Sequence, residues 1–77
     1  MNRELRKQKL AALVEDGGFD DECELFEASI ADSVCPAICS NEPCDYITQM
    51  EPDQDQGYCE VCGTNTVISA LILGGIL

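Results

Sequence analysis

Apolar residues in the first third of the chain recur at helical spacing. Leu5, Leu10, Leu13 and Val14 form an approximate apolar stripe between basic side chains, which predicts a helix over residues 2–14. A glycine pair follows and is expected to end this helix.

A second helix is predicted over residues 21–33. Asp20 is a suitable N-cap, and the acidic first turn after it is favoured by the helix dipole. Apolar side chains at steps of three and four along this segment are expected to form one buried face, with the cysteine among them acting as a small core residue. These positions are Phe19, Cys23, Phe26, Ile30 and Val34. The two helices together predict an αα-hairpin.

The pattern changes to strand and loop in the second half. Two prolines predict a loop over residues 35–44. Residues 46–50 have strand composition, with Tyr46, Thr48 and Met50 expected on one face and Ile47 on the other. After an acidic, turn-rich loop, residues 58–60 are expected to return as the partner strand.

The C-terminal residues 64–77 fit two structures. Asn65 or Thr66 can cap a short helix that runs through Leu73 and stops at the next glycine pair. The same apolar residues are equally acceptable as a buried strand. The helix is the preferred prediction.

Composition makes the cysteines the main candidate chemistry. The 77 residues include six Cys and no His, which excludes His-dependent catalysis and His-containing zinc sites. The apolar stretch at residues 10–14 is too short for a signal peptide, which needs roughly 7–15 apolar residues. The run at residues 67–77 is shorter than the about 20 residues that span a bilayer. We therefore expect a cytoplasmic protein with reduced thiols.

The spacing of the cysteines predicts one zinc site. Cys59 and Cys62, followed by Gly63, have the C-x-x-C-G form of a zinc knuckle, in which a tight turn aims two thiolates at one ion. The expected hairpin of residues 45–50 and 57–60 brings Cys44 to this pair, and Cys39 reaches it across the preceding turn. Structural zinc bound by Cys39, Cys44, Cys59 and Cys62 is the resulting prediction.

Alternatives to this site stay open at the level of sequence. Cys35 can replace Cys39 or Cys44 as a ligand, because Cys35-x3-Cys39 is also an acceptable knuckle. Iron uses the same four thiolates. A secreted domain would instead form disulfides, but the missing signal peptide disfavours this reading.

The segment from Cys39 to the C-terminus resembles a family of small, largely uncharacterised zinc-ribbon proteins of bacteria and their phages. The residues that carry this resemblance are Cys39, Cys44, Asp45, Tyr46, residues 51–54, residues 57–63 and residues 69–71. The resemblance covers about half of the chain, and it implies a four-cysteine zinc site in which Cys35 is not obligatory. It implies no known activity.

Charge is divided unevenly along the chain. All four Lys and Arg lie within residues 3–9, so residues 1–14 carry 4 − 1 = +3 and residues 15–77 carry 0 − 14 = −14. A basic helix suits an anionic partner, but it can also pack on its own acidic body and neutralise it, which is the preferred interpretation.

These observations predict a small, metal-stapled α+β domain without enzymatic activity. A helical hairpin at residues 1–34 and a zinc ribbon at residues 35–77, with a short apolar C-terminal segment, are expected to form one compact unit. The favoured function is an acidic interaction module or small regulator, such as a phage-encoded one, that docks on a basic protein surface. The alternatives are nucleic-acid binding through the basic helix, and a thiol redox or metal-carrier role that uses Cys23 and Cys35. The candidate partner-binding residues are Arg3, Arg6, Lys7, Lys9, Asp53 and Asp55.

Overall fold

A computed structural model describes residues 3–31, 34–42 and 44–76. Two helices precede a four-stranded sheet and a final one-turn helix. The elements are α1 Arg3–Gly17, α2 Glu22–Ala31, β1 Cys35–Cys39, β2 Ile47–Met50, β3 Gly57–Cys59, β4 Thr64–Ser69 and α3 Ala70–Leu73. Within the described ranges, no helix has the length and apolar character needed to cross a membrane.

The four strands form one curled antiparallel sheet in the order β2-β1-β4-β3. β1 pairs with β2 on one side and with β4 on the other, and β3 pairs only with β4. The predicted pairing of residues 58–60 with residues 46–50 is therefore wrong. These two segments lie at opposite edges of the sheet, with β1 and β4 between them.

The central strand β1 occupies residues that the sequence predicted as loop. The loop was predicted because of Pro36, but this proline removes no hydrogen bond between β1 and its neighbouring strands. The backbone N–H of Cys39 donates to Tyr46 in the β2 direction, and that of Ser40 donates to Thr66 in β4. Since these directions alternate along a strand, the nitrogen of Pro36 is on the β4 side. β4 pairs with β1 only as far as Ala37↔Ser69, so position 36 lies beyond its end.

The two faces of the sheet carry different cores. Ile38, Ile47 and Ile68 pack among the helices, in a cluster that includes leucines from α1, α2 and α3. Tyr46 and Met50 pack on the opposite face with Ala37, Val67 and three of the cysteines. The predicted alternation of residues 46–50 is thus confirmed, because Ile47 faces away from Tyr46 and Met50.

The helical hairpin forms, but α2 begins at Glu22. Its cap is Asp21, whose carboxylate accepts from the Glu24 N–H at 2.9 Å, so the predicted cap Asp20 was wrong. The predicted end at residue 33 lies outside the described residues.

The second helix also buries a different face from the one predicted. Leu25 and Ser29 are its buried residues, whereas Cys23 and Ile30 are exposed. Leu25 lies toward the sheet with Ser29 one turn below it, so the predicted stripe through Cys23 points too far toward solvent. The Ser29 hydroxyl is satisfied inside the core because it donates to the Leu25 carbonyl at 2.8 Å. The prediction of Cys23 as a core residue was wrong.

The C-terminal segment contains both of the structures that its sequence allowed. Strand β4 comes first, and the helix begins only at Ala70 and ends at the C-cap Gly74. The N-cap is Ser69, whose hydroxyl accepts a hydrogen bond from the Ile72 N–H, so the predicted caps Asn65 and Thr66 are wrong. Both of those residues are committed to the β-ladder instead.

Candidate metal centre

Two hairpin connections meet at one end of the sheet, and each supplies a pair of cysteines. Cys39 ends β1 and Cys44 lies in the connection to β2, while Cys59 ends β3 and Cys62 lies in the turn to β4. β1 and β4 are antiparallel neighbours, so the end of β1 and the start of β4 lie side by side. This register places both connections at the same end.

The four sulfur atoms form a compact cluster. All Sγ atoms of Cys39, Cys44, Cys59 and Cys62 lie within 4.8 Å of one another. The Cys39–Cys62 distance is 3.8 Å and the Cys44–Cys59 distance is 3.7 Å. Tetrahedral zinc with bonds of about 2.3 Å separates its sulfur ligands by about 3.8 Å, so the cluster has the right size for one ion.

The turn between β3 and β4 has the backbone geometry of a metal knuckle. The N–H of Cys62 points at the Cys59 sulfur at 3.3 Å, and the N–H of Gly63 donates to the Cys59 carbonyl at 2.8 Å. Gly63 has φ of +72°, a conformation that costs other residues energy because their Cβ meets the backbone. Gly63 therefore lets the chain bend back directly after the second cysteine of this turn.

Ionisation of the clustered thiols is strongly perturbed. Burial opposes ionisation of Cys39, but hydrogen bonds with the Thr66 hydroxyl, the Asn41 backbone and neighbouring thiols lower its pKa to about 7. At Cys44 a hydrogen bond with the Tyr46 backbone favours the thiolate, yet burial and the other three thiols together raise the pKa to about 12. One proton therefore leaves readily, while further thiolates meet negative charge. A divalent cation removes that repulsion, so this donor set suits a metal ion.

A polar network supports the Cys39 sulfur. The Thr66 hydroxyl lies 3.2 Å from Cys39 Sγ and 3.1 Å from the Thr64 hydroxyl. The side-chain amide of Asn41 donates to both threonines, each at 3.4 Å. Sequence reasoning did not identify these residues, since only the pairing of β1 with β4 brings Thr66 beside Cys39. Hydrogen bonds of this kind orient a metal ligand and tune its basicity.

Lys9 lies in a different place from the one that the sequence predicted. It was expected on a partner-binding surface, but it is 2% exposed and its ammonium group reaches the loop that carries Cys44. It donates to the carbonyls of Asn41, at 2.8 Å, and Cys44, and it pairs with the Asp45 carboxylate at 3.2 Å. The alkyl stem is buried along the core and the charge is compensated, which makes a buried lysine tolerable.

The remaining two cysteines lie outside the sulfur cluster. Cys35 is fully buried at the start of β1, at the opposite end of the strand from Cys39. Cys23 is exposed on α2. Both lie outside the group of four sulfur atoms. The structure therefore favours the set that begins with Cys39 over the alternatives in which Cys35 replaces a ligand.

The other predicted partner-binding residues are on the surface. Arg3, Arg6 and Lys7 are exposed on α1, and Asp53 and Asp55 are exposed in the connection between β2 and β3. Across the residues that the structure describes, Lys9–Asp45 is the only ion pair. The predicted neutralisation of the basic helix by its own acidic body thus applies to Lys9 and not to the three exposed cations.

Comparison with known proteins gives no significant match to a family model, a curated protein or a solved structure.

Proposed function

We propose that this chain is a small zinc-binding domain, in which Cys39, Cys44, Cys59 and Cys62 hold one structural Zn²⁺. The observation that carries the proposal is the convergence of four sulfur atoms within 4.8 Å from two separate hairpins. Four protein ligands leave no open coordination position for substrate or water, which is typical of structural rather than catalytic zinc. This supports a role without enzymatic activity, in a compartment such as the cytoplasm where thiols stay reduced.

The placement of the four cysteines supports assignment to the zinc ribbons, including the small bacterial and phage proteins that the sequence resembles. Each of two β-hairpins contributes one cysteine at a strand end and one in the following turn. Both metals accept four thiolates, and zinc is favoured over iron because the sequence carries no redox-partner motif.

The metal content of the purified chain tests this proposal. Elemental analysis of protein prepared without chelators should give one zinc per chain, and Cys62→Ser should lose most of it. Cys23→Ser is the matched control, because this thiol is also exposed but lies outside the cluster. Bound iron in place of zinc would overturn the choice of metal, and a chain without metal would overturn the site.

We further propose that the domain acts as an interaction module or small regulator that docks on a basic protein surface. The net charge of −11 and the exposed Asp53 and Asp55 support this, because complementary charge steers encounter and excludes other acidic partners. The metal then keeps a small core rigid enough to present that surface.

Salt and charge reversal test the interaction. Host proteins captured on the immobilised domain at low salt should dissociate at high salt, because exposed charges are screened. Replacing Asp53 and Asp55 by Lys should reduce capture more than the same change at Glu22 and Glu24, which are exposed on α2. Capture that resists salt would argue against this function.

Nucleic-acid binding is the second candidate function. It is favoured by the exposure of Arg3, Arg6 and Lys7 without an ion pair in the described part of the chain. Each phosphate contact contributes about −0.9 to the slope of log K against log salt concentration. Three contacts should therefore give a slope no steeper than about −2.7. Fluorescence anisotropy with duplex DNA should show this slope, and replacing all three cations by Ala should abolish binding. Tight binding that persists in the triple variant would exclude α1 as the interface.

A further inference from the structure

Lys9 connects the helical half of the molecule to the predicted metal loop. It belongs to α1, yet its ammonium group contacts the carbonyls of Asn41 and Cys44, which lie on either side of the turn after β1. The third partner is the Asp45 carboxylate. The three donors of the ammonium group are therefore all used, and they fix both ends of the short loop that presents the Cys44 sulfur.

The charge of this lysine is placed where a zinc site would need it. Four thiolates and one Zn²⁺ have a formal charge of −4 + 2 = −2. The Lys9 side chain is 3% exposed, whereas that of its partner Asp45 is 70% exposed. Solvent screens the carboxylate more strongly than the ammonium group, so part of the positive charge of Lys9 stays uncompensated on its buried side, where it contacts the Cys44 carbonyl.

We propose that Lys9 is a positioning residue of the metal centre, holding the Cys44 loop in its ligating conformation and offsetting the negative charge of the thiolates. This inference rests on the proposed zinc-binding function. It also makes α1 part of the metal site, so that Lys9 couples the helical half to the metal loop in addition to the core that the two halves share. Residues that hold metal ligands in this way typically change affinity about 10- to 100-fold when they are removed.

Cobalt binding by the full chain tests this role, because Co²⁺ replaces zinc and reports on its thiolate ligands by absorption. Lys9→Met keeps the buried alkyl stem and removes the donors and the charge. Lys7→Met makes the same chemical change at an exposed position of the same helix. Lys9→Met should weaken Co²⁺ binding about tenfold or more and shift the sulfur-to-cobalt charge-transfer band, while Lys7→Met should change neither.

The absorption band separates positioning from general stabilisation. A lysine that only stabilised the fold would lower the unfolding temperature of Lys9→Met without moving the band. If Lys9→Met does not fold, Lys9→Gln retains hydrogen-bond donors without the charge and is measured in its place. A folded Lys9 variant with unchanged affinity and an unchanged band would overturn this inference alone. Failure of the unaltered chain to bind Co²⁺ or Zn²⁺ would overturn the proposed function itself.

Discussion

The sulfur atoms of Cys39 and Cys62 lie 3.8 Å apart, although one ends the first strand of the sheet and the other lies in its last hairpin turn. The contact ties β1 to the β3–β4 connection, and Cys44 with Cys59 makes the equivalent contact at 3.7 Å. Four thiols at these distances cannot all ionise without a cation, so the end of the sheet should depend on a metal for its stability.

Removal of zinc should destabilise the domain markedly. Apparent binding energies at structural zinc sites are on the order of 10–16 kcal/mol, comparable with the whole stability of a typical domain, about 5–15 kcal/mol. Treatment with a strong chelator should therefore lower the midpoint of thermal unfolding followed by far-ultraviolet circular dichroism. Zinc added back after removal of the chelator should restore the curve. Identical curves before and after complete zinc removal would contradict a structural metal.

The zinc-bound protein should expose one reactive thiol. Cys23 is exposed on α2, while Cys35 is fully buried, and the other four cysteines are occupied by metal in the proposed site. Alkylation by iodoacetamide under native conditions should add one group, located at Cys23 by mass spectrometry, and Cys23→Ser should add none. Rapid modification of Cys35 in the native protein would instead favour a thiol role for this pair.

Replacing Ser69 should cost more stability than replacing Ser29, which is also fully buried. The Ser69 hydroxyl donates to the Pro52 carbonyl and caps α3 through Ile72, and its N–H donates to Gln54. Ser69→Ala leaves the Pro52 carbonyl and the Ile72 N–H without this partner. The change should lower the free energy of unfolding by about 1–3 kcal/mol.

Ser29→Ala is the matched control for this change. Ser29 is 1% exposed and Ser69 is 0% exposed, but the Ser29 hydroxyl only duplicates a helical bond at the Leu25 carbonyl. Its removal should be close to neutral in urea unfolding. Equal losses for the two variants would show that the cap and the loop contact contribute little.

Two glycines with the same backbone conformation should separate fold effects from metal effects. Gly18 and Gly63 both have φ of +72°, and an added Cβ would meet nothing closer than the Tyr58 hydroxyl, 3.8 Å from position 63. Substitution by Ala should cost each about 1 kcal/mol of backbone strain. Only Gly63→Ala should also weaken zinc binding, measured by competition with a chromophoric chelator, because it distorts the turn around Cys59. Unchanged zinc affinity in Gly63→Ala would argue against the knuckle.

Spacing alone predicts Cys59 and Cys62 as a ligand pair, because two intervening residues restrict the turn to a few geometries. Cys39 and Cys44 were added through an expected pairing of residues 45–50 with residues 57–60 that the sheet does not contain. They reach the pair because β1 lies beside β4.

The strand order could not be predicted from spacing. Pro36 favours a loop locally, and only the end of β4 at Ser69 shows that its missing N–H is harmless. Long-range pairing of this kind depends on register, which local composition does not encode.

Lys9 illustrates the same limit for function. In the sequence it is one of four similar cations on α1, and nothing in its spacing distinguishes it from Lys7. Burial by the loop that follows β1 decides its role, and that contact joins residues 32 positions or more apart. The local pattern also did not predict which face of α2 is buried, since adjacent residues Leu25 and Phe26 both pack in the same core cluster.

The proline in the central strand lies opposite the point where β4 gives way to α3. If position 36 carried an N–H, the ladder would continue by one step and that N–H would donate to the carbonyl of Ala70. Pro36 carries none, and the Ala70 carbonyl accepts from the Gly74 N–H at 2.9 Å, so the sheet ends and α3 begins opposite the proline. An imino acid in β1 thus limits how far β4 can pair with it, although the two strands are far apart in the sequence. The boundary between sheet and helix at Ala70 coincides with a residue of the neighbouring strand.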